Sequence, residues 1–104
     1  MSDALQDLSR QLQEFAQERD WDRFHSPKNL ASALIVEAAE LLEHFQWLTE
    51  AQSRQLAPEQ RQAVAAEMAD VLLYLLQLGN QLGIDVAQAA QAKLLVNAQR
   101  FPPP

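Results

Sequence analysis

Apolar residues recur at helical spacing along most of this chain. Spacings of three and four residues indicate an amphipathic helix, and no segment alternates apolar and polar residues as a half-buried strand would. The first such stripe consists of Leu5, Leu8, Leu12 and Phe15. Ser2 or Asp3 precedes this stripe and can cap the helix. The pattern predicts an all-α protein.

Start and stop signals divide the remaining sequence into three further helices. Ser26 followed by Pro27 is typical of a helix start, and this second helix is predicted to end at Trp47 or Leu48. The polar link at 49–57 has room for a helical turn of its own.

The third predicted helix begins at Pro58 and ends after Leu82, where Gly83 is a typical stop. Asp85 caps the fourth helix, with Gln88 completing an approximate capping box, and the prolines at 102–104 follow its end. We therefore predict a four-helix bundle in which the long second and third helices are antiparallel neighbours.

Carboxylates occupy unexpected positions in the second helix. Its apolar seam consists of Leu30, Leu34, Leu41, Phe45 and Leu48. Glu37 takes the seam position between Leu34 and Leu41, and Glu40 lies one turn further on. Burying an unpaired carboxylate costs several kcal/mol, so a compensating charge is expected.

The third helix repeats this arrangement with Glu67 and Asp70, and Tyr74 follows on the same face. The adjacent stripe, predicted to lie in the core, consists of Val64, Met68, Val71, Leu75, Leu78 and Leu82. Each long helix therefore presents two carboxylates one turn apart, and an antiparallel crossing can bring all four together.

Two interpretations of these four carboxylates remain open from periodicity alone. They can be ion-paired with some of the eight Lys and Arg residues, or they can bind a divalent metal. The Glu-x-x-His motif of di-iron bundles is absent. An all-carboxylate site suits Mg²⁺, or Mn²⁺, holding phosphate groups.

Composition limits the class of protein. A chain of 104 residues with 48% hydrophobic residues, two Gly and no Cys fits one folded domain over 1–104, without disulfides or thiolate metal sites. No signal sequence or long apolar run is found, so a cytoplasmic protein without membrane contact is expected. The net charge of −6 argues against nucleic acid as a partner. A phosphate ligand would need bound cations.

Several other residues are candidate contacts for a nucleotide. Lys93, Asn97 and Arg100 share one face of the fourth helix and can form a phosphate clamp, although a solvated polar stripe has the same spacing.

Aromatic residues near the helix ends can contact a nucleobase. Trp21, His25 and Trp47 can stack on the base, or they can simply close the ends of a small core. Asn29 can reach polar ligand atoms or belong to an ordinary helix start.

The carboxylate runs carry a resemblance to a known family. EAAE at 37–40, 26 intervening residues and EMAD at 67–70 resemble the metal motif of the MazG-like all-α nucleotide pyrophosphohydrolases. FAQERDWDRFHSPKNL, EAAELLEHFQW, DVLLY and KLLVNAQRFP resemble the dCTP pyrophosphatase branch. The resemblance extends from about residue 12 to about residue 102.

This resemblance implies hydrolysis of a nucleoside triphosphate, most plausibly dCTP or a modified dCTP, to the monophosphate and pyrophosphate in nucleotide-pool house-cleaning. Mg²⁺ would be bound by Glu37, Glu40, Glu67 and Asp70, with Glu40 or Glu67 as the catalytic base that takes a proton from the attacking water. Trp21, His25 and Trp47 would line the base pocket. Tyr74, Lys93, Asn97 and Arg100 would lie near sugar and phosphates. It also implies a homodimer or homotetramer whose neighbouring subunits complete each pocket.

One departure from the family pattern leaves the base preference open. Leu12 stands where some eukaryotic relatives carry a histidine thought to face the base. A broader pyrimidine range, or dUTP, is therefore an alternative substrate. A helical interaction module without catalytic activity is the alternative from a different functional class.

Overall fold

The computed structural model describes residues 3–104, and this part of the chain is helical without any strand. Its α-helices are α1 (Asp3–Glu18), α2 (Pro27–Glu43), α3 (Glu50–Ser53), α4 (Pro58–Leu82) and α5 (Val86–Arg100), with a 3₁₀ turn at Asp22–Phe24. The predicted all-α class is confirmed. The cap predicted at Ser2, or at the side chain of Asp3, lies outside the described part of the chain.

Helix starts follow the sequence signals closely. The Ser26 hydroxyl accepts a hydrogen bond from the Asn29 N–H at 3.1 Å, and the Asp85 carboxylate accepts one from the Gln88 N–H at 3.0 Å. Thr49 begins α3 with a reciprocal capping box. These bonds satisfy amide groups that have no partner within the helix.

The predicted end of α2 at Trp47 or Leu48 is wrong, because the helix ends at Glu43. The N–H groups of His44 and Phe45 bond to carbonyls three residues back, at 3.2 and 2.9 Å, and tight turns continue the chain to α3. Neither Gly nor Pro marks this end. A run of turns preserves the three-residue apolar spacing, so periodicity alone did not reveal where the helix stops.

The core lies where α4 packs against α2 and α1, with α2 making the more extensive contact. The buried apolar side chains are Ala16, Leu30, Val64, Leu76 and Ala87, of which Leu30 is the most completely buried. Met68 and Leu82 were predicted in the core stripe of α4 but are 57% and 52% exposed. The two residues have the spacing of one helix face, but within a single chain no other helix packs over the part of α4 where they lie. None of the helices in residues 3–104 is both long and apolar enough to cross a membrane.

One polar contact fastens α1 to α4. The Asn80 side-chain amide donates a hydrogen bond of 2.9 Å to the Ser9 carbonyl, across 71 positions of sequence. This bond is partly buried, so water competes with it poorly. It fixes α1 along the C-terminal half of α4.

The chain reverses sharply between α4 and α5. Gly83 ends α4 with φ at +66°, and the Ile84 N–H bonds back to the Gly79 carbonyl at 2.8 Å. A Cβ on Gly79 would lie 2.7 Å from Cγ2 of Val86 and 2.9 Å from the Ile84 carbonyl oxygen. Gly79 therefore allows the start of α5 to pack directly on the α4 backbone.

A single chain leaves much apolar surface uncovered. Its accessible surface is 8050 Å², whereas monomers of this mass expose about 5,900 Å². The radius of gyration is 16.3 Å, against about 13 Å for a compact domain of this length. The exposed large apolar residues of α2 and α5 are Ile35, Val36, Leu42, Leu94, Leu95 and Val96. A lone chain is therefore less compact than a typical monomeric domain.

We expect Gly79→Ala to destabilise the protein although alanine favours helix. The helix propensity gain is about 1 kcal/mol, while a forced repacking against a carbonyl costs about 1–3 kcal/mol. Thermal unfolding should show a melting temperature lowered by several degrees. Gln81→Ala, at an exposed site two residues away, should leave it unchanged or higher. A Gly79 variant as stable as the Gln81 variant would contradict the close packing.

Candidate metal and nucleotide site

Three carboxylates from α2 and α4 converge. Glu37, Glu67 and Asp70 each offer an oxygen atom, and these atoms lie within 4.8 Å of one another. Glu37 and Glu67 are half-buried, whereas Asp70 is exposed. With both carboxylates ionised, the Oε2 atoms of Glu37 and Glu67 are enclosed and have no hydrogen-bond partner. Two ionised carboxylates cannot donate to each other, so this arrangement lacks a compensating charge.

The proximity of these groups raises the pKa of Glu37 from 4.5 to about 7. The largest cause is a hydrogen bond shared with the Glu67 carboxyl group, which requires a proton, followed by a similar bond with Glu40. Burial and repulsion from Glu40 and Glu67 act in the same direction. Glu40 is thus adjacent to Glu37 but outside the trio that converges on one point.

The cluster fits a divalent cation. Ligands on opposite sides of an octahedral Mg²⁺ lie about 4.2 Å apart, so oxygens that all lie within 4.8 Å of one another can approach one such ion with small shifts. The unpartnered Oε2 atoms are hard oxygen donors with no other role. The alternative of ion pairing is not supported. Among the residues that the structure describes, the ion pairs are Asp7–Arg10 and Asp20–Arg23, both exposed and remote in sequence from the cluster.

A cleft of about 190 Å³ opens beside the carboxylates, between α1, the 3₁₀ turn region and α4. Its lining residues are Leu12, Phe15, Trp21, His25, Asp70, Leu73, Tyr74 and Gln77. Asp70 belongs both to this cleft and to the carboxylate cluster. A ligand in the cleft would therefore reach a cation held by the carboxylates.

Aromatic contacts hold the outer wall of the cleft in place. The Trp21 ring lies 5.5 Å from the Phe15 ring, edge to face, and 6.1 Å from the His25 ring. The Arg19 guanidinium stacks 3.4 Å from the Phe15 ring and donates to the Phe15 carbonyl at 3.0 Å. Such contacts order aromatic side chains before a ligand arrives. Asp20, with φ at +56°, turns the chain so that Trp21 faces back to α1.

The structure thus brings together three of the predicted nucleotide contacts, Trp21, His25 and Tyr74. Asn29 does not line the cleft, and its side-chain amide donates to the Phe24 carbonyl at 2.9 Å, as at an ordinary helix start. The remaining candidates, which also lie outside the cleft lining, are Trp47, Lys93, Asn97 and Arg100. Trp47 is 86% exposed.

Three lining residues were missed by the sequence analysis, namely Phe15, Leu73 and Gln77. Phe15 was assigned to the apolar stripe of the first helix. Gln77 carried a usable signal, because Asp70, Tyr74 and Gln77 follow one another at i, i+4 and i+7 on one helix face. A polar residue among the leucines at 75–78 was the indication.

Comparisons with known proteins match nearly the whole chain. Residues 33–103 match the MazG-like family model. The chain is 43% identical over 100 residues to dCTP pyrophosphatase 1 of Rattus norvegicus and 41% identical to that of Homo sapiens. These alignments cover 94% of this chain but 59% of each relative, so the chain spans just under three fifths of their length.

A solved structure agrees with these alignments. The crystal structure of a pyrophosphatase from Archaeoglobus fulgidus has a TM-score of 0.88 and 36% sequence identity, and the match covers 96% of this chain and 94% of that one. The family model also covers more than half of this chain. The chain therefore belongs to the MazG-like family.

Proposed function

We propose that this protein is a Mg²⁺-dependent nucleoside triphosphate pyrophosphohydrolase, with Mn²⁺ as a possible substitute. It converts a deoxynucleoside triphosphate, dCTP or a modified dCTP, to the monophosphate and pyrophosphate. The observation that carries this proposal is that Asp70 belongs both to the carboxylate cluster and to the aromatic cleft. The names of the curated relatives support dCTP as the substrate.

The metal is assigned to Glu37, Glu67 and Asp70, with Glu40 beside them. A bound divalent cation neutralises phosphate charge and lowers the pKa of a water molecule. Glu40 or Glu67 takes the proton of the attacking water, and both stand next to Glu37. The positive charge supplied by the cation also offsets the net charge of −6, which would otherwise repel a triphosphate.

The nucleotide is assigned to the cleft. Trp21 and His25 offer ring faces for stacking on the base, and Tyr74 lies one turn after Asp70, near the sugar. Stacking tolerates several bases. Leu12 lines the cleft without a hydrogen-bonding group, which favours a broader pyrimidine range, including dUTP, as the second candidate.

The phosphate contacts are assigned to a neighbouring subunit in a homodimer or homotetramer. Lys93, Asn97 and Arg100 do not line the cleft of their own chain, and α5 carries large exposed apolar residues. The excess accessible surface and the large radius of gyration support self-association. A partner's α5 would then deliver the cationic face, and a partner's Trp47 would close the base pocket.

We expect the purified protein with Mg²⁺ to release monophosphate and pyrophosphate from dCTP in preference to other deoxynucleoside triphosphates. Glu67→Ala should lower kcat/KM by about 10²-fold or more, because it removes a metal ligand. Anion-exchange chromatography of the products formed from a panel of triphosphates measures the substrate preference and the loss of activity in Glu67→Ala. EDTA should end turnover.

Glu43→Ala is the matched control, since Glu43 is an exposed carboxylate on α2 outside the cluster. It should keep full activity, and circular dichroism should show unchanged helix content in both variants. Release of diphosphate and orthophosphate would contradict pyrophosphohydrolysis. No turnover of any triphosphate would favour the interaction module instead.

A second expectation concerns the stability of the metal-free protein. Because the folded state raises the pKa of Glu37 to about 7, it binds this proton more tightly than the unfolded chain. The stabilisation is fully present below pH 4.5 and is lost as pH rises to about 7. With EDTA present, the melting temperature of the wild type should therefore fall between pH 5 and pH 8 more than that of Glu37→Gln.

Added Mg²⁺ at pH 8 should restore the wild-type melting temperature, because the cation binds the ionised carboxylates. Glu37→Gln lacks one of these ligands and should respond less. Parallel pH profiles for the two proteins would contradict the role of Glu37 in the cluster.

A third expectation tests the shared pocket. Glu67→Ala and Lys93→Ala should each be inactive as separate proteins, since each damages every site. Co-expressed as mixed oligomers, they should regain up to about one quarter of wild-type sites, because some sites then combine an intact cluster with an intact partner helix. Turnover of the whole co-expressed population, with homo-oligomers and mixed oligomers together, measures this. Activity no greater than that of the single variants would place Lys93 in the same subunit as the cluster it serves.

A further inference from the structure

Gln77 carries a buried polar atom without a partner. Its side chain lines the aromatic cleft, and the Oε1 atom is enclosed and accepts no hydrogen bond. Outside the carboxylate cluster, no other enclosed side-chain oxygen or nitrogen lacks a partner among the buried and half-buried residues of 4–104. Buried polar groups are nearly always hydrogen-bonded in folded proteins, so a single exception in a cleft indicates a missing partner.

The neighbouring amide on the same helix shows the contrast. Asn80 lies one turn after Gln77, and its amide is committed to the Ser9 carbonyl of α1. Gln77 makes no such bond to α1, although it is half-buried beside that helix. Asn80 therefore holds the helices together, while the amide of Gln77 remains free for a ligand.

No residue of the cleft lining donates a hydrogen bond to Oε1 of Gln77, although Trp21, His25 and Tyr74 also line the cleft. Leu12, Phe15 and Leu73 contribute apolar surface to the cleft. Gln77 lies seven residues after Asp70, about 10 Å further along α4. A nucleotide with its phosphates at the carboxylates and its base in the cleft would bring the edge of the base toward Gln77.

We infer that Gln77 is a specificity-determining residue that accepts a hydrogen bond from an N–H group on the Watson–Crick edge of a pyrimidine base. The inference rests on the proposed function. A side-chain amide presents a carbonyl beside an NH₂ group, so it pairs with an edge that has a donor next to an acceptor. Cytosine offers its 4-amino group beside N3, and uracil offers N3–H beside O4.

Gln77→Leu tests this assignment, since leucine is of similar size and cannot hydrogen-bond. The substrates are dCTP, dUTP and the deoxynucleoside triphosphate of pyrimidin-2-one, which is cytosine without its 4-amino group. We expect kcat/KM for dCTP to fall roughly tenfold to a hundredfold, mainly through KM, because the base donor loses its buried acceptor. The variant and the wild type should hydrolyse the pyrimidin-2-one nucleotide at similar rates.

Gln81→Leu is the matched control, because Gln81 is an exposed glutamine on the same helix. It should behave as the wild type with all three substrates. If Gln77→Leu lowered kcat/KM for dUTP rather than for dCTP, this result would also support the inference and would identify N3–H as the donor. The inference would be overturned if Gln77→Leu lowered kcat/KM equally for all three substrates or for none of them. It would also be overturned if the variant changed only the melting temperature or the oligomeric state. A wild-type protein that hydrolyses no triphosphate would overturn the proposed function and this inference together.

Discussion

The repulsion between carboxylates at the contact of α2 with α4 is the constraint on which the site depends. Glu37 and Glu67 place enclosed oxygen atoms beside each other, and apolar burial at Leu30 and Val64 holds the two helices together despite this. Hydrogen bonding with Glu67 and Glu40, burial and repulsion raise the pKa of Glu37 to about 7, so the cluster without a cation retains a proton near neutral pH. The packing of the long helices thus leaves negative charge that no Lys or Arg side chain of residues 4–104 neutralises through an ion pair.

Helix α4 connects the aromatic cleft with the carboxylate cluster. Asp70, Tyr74 and Gln77 lie on one face of this helix, so the carboxylates and the aromatic cleft have a fixed spacing. Trp21 and His25 come from the short connection before α2 and also line the cleft. A helix of 25 residues is a firm support for such a site, because hydrogen bonds between its own backbone groups hold it together.

Local signals in the sequence predicted much of this arrangement. Ser26, Asp85 and Gly83 marked helix ends correctly because capping is a local interaction. Glu37 was noticed because a charge interrupts an apolar seam. The burial of each helix face and the packing of α5 depend on tertiary contacts, which local signals do not reveal. Periodicity identifies an apolar face but not what covers it, so Met68 was wrongly placed in the core. The sequence pattern likewise did not predict that the start of α5 packs directly on Gly79.

The hydrogen bond from Asn80 to the Ser9 carbonyl has a consequence for how such a fold can diversify. One wall of the cleft, with Leu12 and Phe15, belongs to α1, whereas the carboxylates belong to α2 and α4. Because α1 contributes to the cleft but not to the carboxylate cluster, substitutions in it alter the shape of the cleft and leave the cluster intact. The shape of this cleft wall and the carboxylate cluster can therefore change independently of each other, through substitutions in α1 alone.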